Sequence, residues 1–376
     1  MMIKSSLSQS EQKLLKKSLL EAAEKARVLL EPNSIGILVR KPLVDEDCPE
    51  VSDVDLISIW EKPEEMPERI TVQTKQGRVF IDILWIPAAK IFDAEEAASY
   101  KILPHLLLEY ENLWIRSDAV RDVVENIKQH TYDAEVWAAR IHHQINFGDA
   151  AFEEAKKNLS FPPAAIFFLQ TAHSYYTMAL ADSLKRSTMS LLTRPFTKIK
   201  HMADDTKTDL YHLMRTNLHI DDDPTNSLIA LCTVYDKVAA RCADRQLRGT
   251  YMRTRGHFEY SLSPLELEYR ELVAKALIQH GDFANANYYI RFWAYSLSRC
   301  PVVLEEARQG RKPSFYVPFE PFEESVISTC PEILDDLKTI FGEKIIKQEA
   351  EDAITGTAKF RNIVQTLIKN KGVKTE

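Results

Sequence analysis

The sequence predicts a two-part α+β protein, a small mixed sheet with flanking helices at the N-terminus followed by an all-α helical region. Three observations predict it. Helix and strand patterns alternate up to about residue 115; after residue 117 long helical patterns succeed one another with few glycines or prolines; and only Gly36 and Gly77 fall in the first 147 positions.

The first element is a helix over 8–31. Ser8 and Glu11 form an S-x-x-E capping box, Leu15, Leu19, Leu20, Ala23, Ala26 and Leu30 make its apolar stripe, and Pro32 stops it. A branched apolar run at 34–40 reads as a strand, followed by an acidic loop at 43–50 and a second strand over 53–60. A polar loop with Pro63 and Pro67 leads to a hairpin, 70–73 and 78–85, around Thr74-Lys75-Gln76-Gly77, and Pro87 closes the set. Ser117 then caps a helix, and further helices are predicted at 133–147, 149–159, from Pro162-Pro163 onward, and at 205–218, 224–246, 264–280, 282–299 and 331–370, the last broken at Gly342. Gly148-Asp149 and Gly281-Asp282 each read as a helix-ending glycine followed by an N-capping aspartate. The expected domains are 1–116, 117–260 and 261–376.

Composition narrows the function. Ten glycines in 376 residues, under half the usual ~7%, leave no GxGxxG and no GxxxxGK[ST], so phosphate chemistry here falls to metals and carboxylates. The net charge of −7 argues against a general nucleic-acid coat, although the basic run Arg241, Arg245, Arg248, Arg253 and Arg255 leaves a local contact open. Five scattered cysteines without a CxxC pair suggest neither a disulfide framework nor a zinc site, which points to a reducing, cytoplasmic compartment. The apolar stretch 164–181 carries Gln170, Thr171, His173 and Ser174, costly groups in lipid, and is read as a buried core helix with no membrane partner.

The chemistry concentrates in Ser52-Asp53-Val54-Asp55-Leu56 and Ile81-Asp82-Ile83. On a strand Asp53 and Asp55 share one face while Val54 and Leu56 turn to the core, and Asp82 is a single acid in another apolar run. Three convergent carboxylates suit Mg²⁺, as one ion or two, which takes oxygen ligands and leaves positions open for substrate phosphates.

With these residues the chain resembles the DNA polymerase β-like nucleotidyltransferase superfamily, in particular the antibiotic-modifying and minimal nucleotidyltransferases with a helical domain behind the catalytic one. The resemblance covers about the first 115 residues. It implies a nucleoside triphosphate, Mg²⁺, and transfer of a nucleoside monophosphate, most simply AMP, to a hydroxyl on a small molecule or protein. Asp53 and Asp55 would hold the triphosphate metal. Asp82 would help bind a second metal and assist deprotonation of the acceptor. Gly36, Ile37, Arg40 and Ser52 would line the nucleotide. Ile37 stands where the family usually has Ser, and Asp45, Glu46 and Asp47 lengthen the following loop with charges that repel phosphate. A second reading is therefore a catalytically degenerate nucleotide-binding or scaffold protein of the same fold. His142, His143, His173, Tyr175 and Tyr176 read as core or rim groups, Trp60 and Trp85 as packing residues, and the Arg194 to His201 spacing as chance.

Overall fold

The computed structural model describes residues 8–41, 43, 52–61, 69–93, 97–98, 108–186, 194–243, 258–311, 321–342 and 344–373. The acidic insert at 45–50, Pro63, Pro67, Arg245, Arg248, Arg253 and Arg255 lie outside these residues.

Helix α1 (Gln9–Leu30) begins with the expected capping box: Ser8 Oγ accepts from the Glu11 amide, and the Glu11 carboxylate accepts from the Ser8 amide at 2.7 Å. Its buried stripe is Leu19, Ala22, Ala23, Ala26 and Leu30, whose three alanines let the helix lie close on a sheet. Leu20, expected in that stripe, is exposed, and Ala22 faces the sheet in its stead.

The sheet comprises β1 (Ser34–Arg40), β2 (Val54–Trp60), β3 (Arg69–Thr74), β4 (Gly77–Pro87) and β5 (Tyr110–Ile115), in the order β3-β4-β2-β1-β5. The β2–β4 pair is parallel and the other three pairs are antiparallel. Ile37, Val39, Val54, Leu56, Ile81 and Ile83 form one core with α1. Because side chains alternate along a strand, Arg40, Asp55 and Asp82 project from the opposite face. β5 arises from a segment whose sequence gives no clear strand pattern; its central residues are exposed or half-buried.

Helix α2 (Asp118–His130), capped by Ser117, packs on β1 and β5 and so belongs with the sheet. The chain divides into two compact units, Met1–Arg140 and Ile141–Glu376, later than the expected boundary at 116. Helix α3 (Ala134–Lys157) spans the division and runs unbroken through Gly148. There the expected helix break is absent, whereas Gly281 does turn the chain at φ +70° and Asp282 does cap the next helix.

The second unit continues with α4 (Pro162–Ser183), α5 (Pro195–Thr206), α6 (Leu210–Leu218), α7 (Thr225–Cys242), α8 (Pro264–Gln279), α9 (Phe283–Arg308), α10 (Phe322–Thr329), α11 (Leu334–Phe341) and α12 (Lys347–Asn370). The helix expected at 205–218 is two helices, separated at Lys207 in the left-handed region. Helix α7 packs on both α9 and α11, and α12 packs on both α4 and α6, so helices from either side of residue 260 interlock instead of forming separate domains. Helix α4 is buried along nearly its whole length, as a core helix should be. Among the described residues no helix is long and apolar enough to cross a membrane.

Candidate functional site

The site is a row of side chains running across all five strands on the sheet face away from α1. Register sets it: Arg69 on β3 pairs with Asp82 on β4, Asp82 with Asp55 on β2, and Arg40 on β1 with Tyr110 on β5. Arg40 joins the two halves, its Nη1 donating to Asp55 Oδ2 at 3.0 Å. Two carboxylates in facing positions of parallel strands thus lie between two guanidiniums.

Asp53, immediately ahead of β2, completes the cluster through Arg69, whose Nη1 lies 3.2 Å from Asp53 Oδ2 and whose Nη2 lies 3.4 Å from Asp82 Oδ2. One guanidinium therefore serves two of the three predicted acids. The Arg69 side chain is only 3% exposed, while those of Asp55 and Asp82 are 23% and 35% exposed. The acids remain reachable from solvent and the arginine does not.

Arg40 also pairs with Glu109, Nε to Oε2 at 3.4 Å. Burial pulls the Arg40 pKa down, but the charge and hydrogen bond of Asp55, with Glu109 behind them, outweigh it and hold the guanidinium above its ordinary value. Burial, then the Asp55 carboxylate, push the Tyr110 phenol far upward, so it stays a neutral hydroxyl beside the acids.

The predicted nucleotide-lining residues separate. Arg40 reaches the acids, and Ser52 directly precedes Asp53. Gly36 and Ile37 lie instead within β1, a strand flanked by β2 and β5, roughly 13 Å and 10 Å of chain from Arg40 at about 3.3 Å per residue. Ile37 is fully buried in the core under α1. A Cβ at Gly36 would lie 3.3 Å from Ile59 on β2, a tight contact, and 3.5 Å from Val120 on α2, an ordinary one, so this glycine is a packing position in the sheet. Neither residue forms the short phosphate-binding turn expected of them, because the strand continues four residues past Gly36.

Three carboxylates are suitable donors for a hard divalent ion. Their present spacing is that of an arginine-paired set: among the described residues no three acidic, His or Cys side chains are gathered closely enough to hold one ion.

Sequence reasoning missed Arg69, Glu109 and Tyr110. Arg69 stands one residue before the predicted hairpin strand, and only the β3–β4 register reveals its partnership with Asp82. Elsewhere, Arg241 of the basic run donates to the Thr329 carbonyl, a helix-end contact. Tyr175 stacks on Phe147, which His143 meets edge-on. Trp60 is buried at the end of β2 remote from Asp55, and Trp85 packs against the core beneath α1. The described cysteines, Cys232, Cys242, Cys300 and Cys330, are free thiols.

No family model matches the chain, and the search of curated proteins found no match.

Proposed function

We propose that the N-terminal unit transfers a nucleoside monophosphate, most simply AMP, from a nucleoside triphosphate to a hydroxyl of a small molecule or protein with the help of Mg²⁺. The observation that carries this reading is the register of Asp55 against Asp82 on adjacent parallel strands, with Asp53 tied to Asp82 through one arginine. Like charges in facing positions destabilise a sheet. A protein that places them there and leaves them half-exposed gains from their charge elsewhere.

Asp53, Asp55 and Asp82 would hold the ion, which when bound neutralises triphosphate charge and polarises the phosphoryl group under attack. The chain's own groups do the rest. Arg40 fixes the Asp55 carboxylate at the end of β1 and is itself anchored by Glu109. Arg69 orients Asp53 and Asp82 from beneath. Asp82, the most exposed of the three acids, would accept a proton from an acceptor hydroxyl. The helical unit is assigned acceptor recognition by the resemblance alone.

Thermal unfolding with Mg²⁺ and each nucleoside triphosphate tests the proposal, on the parent and on Asp53→Asn/Asp55→Asn. A nucleotide at 100 times its Kd should stabilise the parent by about 2.7 kcal/mol and leave the double variant unmoved. Pyrophosphate release should follow when acceptor is supplied. If no triphosphate shifts the parent, the reading fails.

The second reading, a nucleotide-binding or scaffold protein without turnover, is favoured by the buried Arg69 at the acids. It predicts nucleotide binding that is indifferent to Mg²⁺, and no pyrophosphate.

A further inference from the structure

We infer that the interior of the helical unit holds a water-binding site along one face of α4, where water accepts from Nδ1–H of His173, donates to Oε1 of Gln170 and meets the Thr177 hydroxyl. The site is independent of the nucleotidyl-transfer reading.

Gln170, His173 and Thr177 follow one another at i, i+3 and i+7, which places them on one face of the helix. Gln170 is 1% exposed and the other two are 0% exposed. Gln170 Oε1, His173 Nδ1 and Thr177 Oγ1 nonetheless have no hydrogen-bond partner among the described residues. Other polar groups of the same helix are paired. Ser174 donates to the Gln170 carbonyl at 2.8 Å and Thr171 to the Phe167 carbonyl at 3.3 Å, each one turn back. Gln170 Nε2 donates to the Tyr288 carbonyl of α9 at 2.9 Å. A buried polar atom left unpaired is costly, and nearly all in folded proteins are paired with protein or with ordered water. Three such atoms on one helix face therefore point to a bound molecule.

Their chemistry selects water. Asn217 Nδ2, which can only donate, lies 3.3 Å from His173 Nε2, so that nitrogen accepts and the ring proton sits on Nδ1. An N–H donor thus stands one turn from the acceptor Gln170 Oε1, and a hydroxyl stands one turn beyond it. Residues three and four apart on a helix have Cβ atoms about 5–6 Å apart, a span that one water bridges with two hydrogen bonds of about 2.8 Å. A molecule that both accepts and donates fits these groups. An ion does not, because burial brings the imidazole pKa down to about 3 and keeps the ring neutral. The water joins the Tyr288 carbonyl of α9, through Gln170, to His173 and so to Thr357 of α12 and Asn217 of α6. One polar network then crosses four helices.

A crystal structure of the full-length chain tests this, together with solution NMR of protein carrying nitrogen-labelled histidine. Density for a water within hydrogen-bond distance of both Gln170 Oε1 and His173 Nδ1 is expected, with the His173 proton on Nδ1 and cross-relaxation between that proton and water. Thr177→Val keeps the side chain's shape and removes its hydroxyl; Thr177→Ser keeps the hydroxyl. With water bound, Thr177→Val removes one of its partners and should lower the melting temperature, while Thr177→Ser should retain the water signal. In a dry core Thr177→Val deletes an unpaired hydroxyl and should raise the melting temperature. Such a rise, a direct bond between His173 Nδ1 and Gln170 Oε1, or a ring proton on Nε2 overturns the inference. A larger polar molecule in the density overturns water as the occupant.

Discussion

Asp55 and Asp82 occupy facing positions on the parallel pair β2–β4, with Arg40 on the outer side of the first and Arg69 on the outer side of the second. The arginines hold each acid but do not separate the two from one another. A double-mutant cycle should expose the remaining repulsion. Asp55→Asn and Asp82→Asn each relieve it, so the second substitution gains nothing that the first has already gained. The double variant should be less stable than the sum of the singles by roughly 0.5–1 kcal/mol in urea unfolding at low salt. The coupling should shrink as salt is raised. A coupling near zero means that the arginines already screen the pair.

Arg40 is the load on the other side of the row. Arg40→Met leaves Asp55 and Glu109 facing each other with their shared cation gone, and should cost about 2 kcal/mol, as expected when one partner of a largely buried, hydrogen-bonded charge pair is removed. Lysine should recover less than half of it, because one ammonium cannot meet both carboxylates as Nη1 and Nε do. Chemical denaturation of Arg40→Met, Arg40→Lys and Arg40→Met/Asp55→Asn checks this, and the last variant should be more stable than Arg40→Met alone.

Gly148 gives a test within the helical unit. It lies inside α3, where a Cβ would fall 2.5 Å from the Tyr176 ring, and that ring is fixed by a hydrogen bond of 2.7 Å from Tyr176 to Asp149. Helix propensity alone favours Gly148→Ala by about 1 kcal/mol. Overpacking against a held ring should reverse the sign and cost about 1–3 kcal/mol. At Gly356 the clash is with the Asn217 side chain, where the Cβ would lie 2.0 Å from its oxygen. Asn217 is also tied to His173, so Gly356→Ala should destabilise as well. Thermal unfolding of both variants decides whether packing or propensity governs these glycines.

The same glycine shows where the sequence could be read and where it could not. Gly-Asp occurs twice between helical patterns, and the local signals are alike. At 281 the chain turns and Asp282 caps α9; at 148 the helix continues, and Asp149 accepts two hydrogen bonds of 2.6 Å from Arg361, more than two hundred residues away. A local pattern cannot see that partner. The strand 34–40 and the DxD strand were legible as short branched apolar runs, because both faces of these central strands are buried, and the hairpin by the turn residues between its strands. The row of Arg69, Asp82, Asp55, Arg40 and Tyr110 was legible only as isolated charged residues. Its meaning comes from register across five strands, and register is a property of pairings between distant segments. Gly36 misled for the same reason: it resembles a turn glycine, and only its pairing with Ile59 on β2, 3.3 Å from where a Cβ would sit, shows it to be a packing position.

His173 supplies the last prediction. It is fully buried on α4, with Nε2 at 3.0 Å from Thr357 Oγ1 and 3.3 Å from Asn217 Nδ2, and with Phe360 edge-on at 4.2 Å. Nδ1 has no hydrogen-bond partner among the described residues. Burial alone brings its pKa down to about 3, from an ordinary value near 6.5, so the folded chain holds a neutral imidazole. The sign follows from proton counting. Above about pH 6.5 neither state binds the proton and stability is unaffected. As pH falls from 6.5 toward 3 the unfolded chain takes up a proton that the folded chain refuses, and stability declines by up to about 1.4 kcal/mol per pH unit for this one group. His173→Gln should therefore show a shallower loss of unfolding free energy between pH 6.5 and 4 than the parent, whatever its stability at neutral pH. Equal slopes in urea titrations across that window would mean that the imidazole is protonated in the fold, and that the Thr357 and Asn217 contacts have the opposite donor sense.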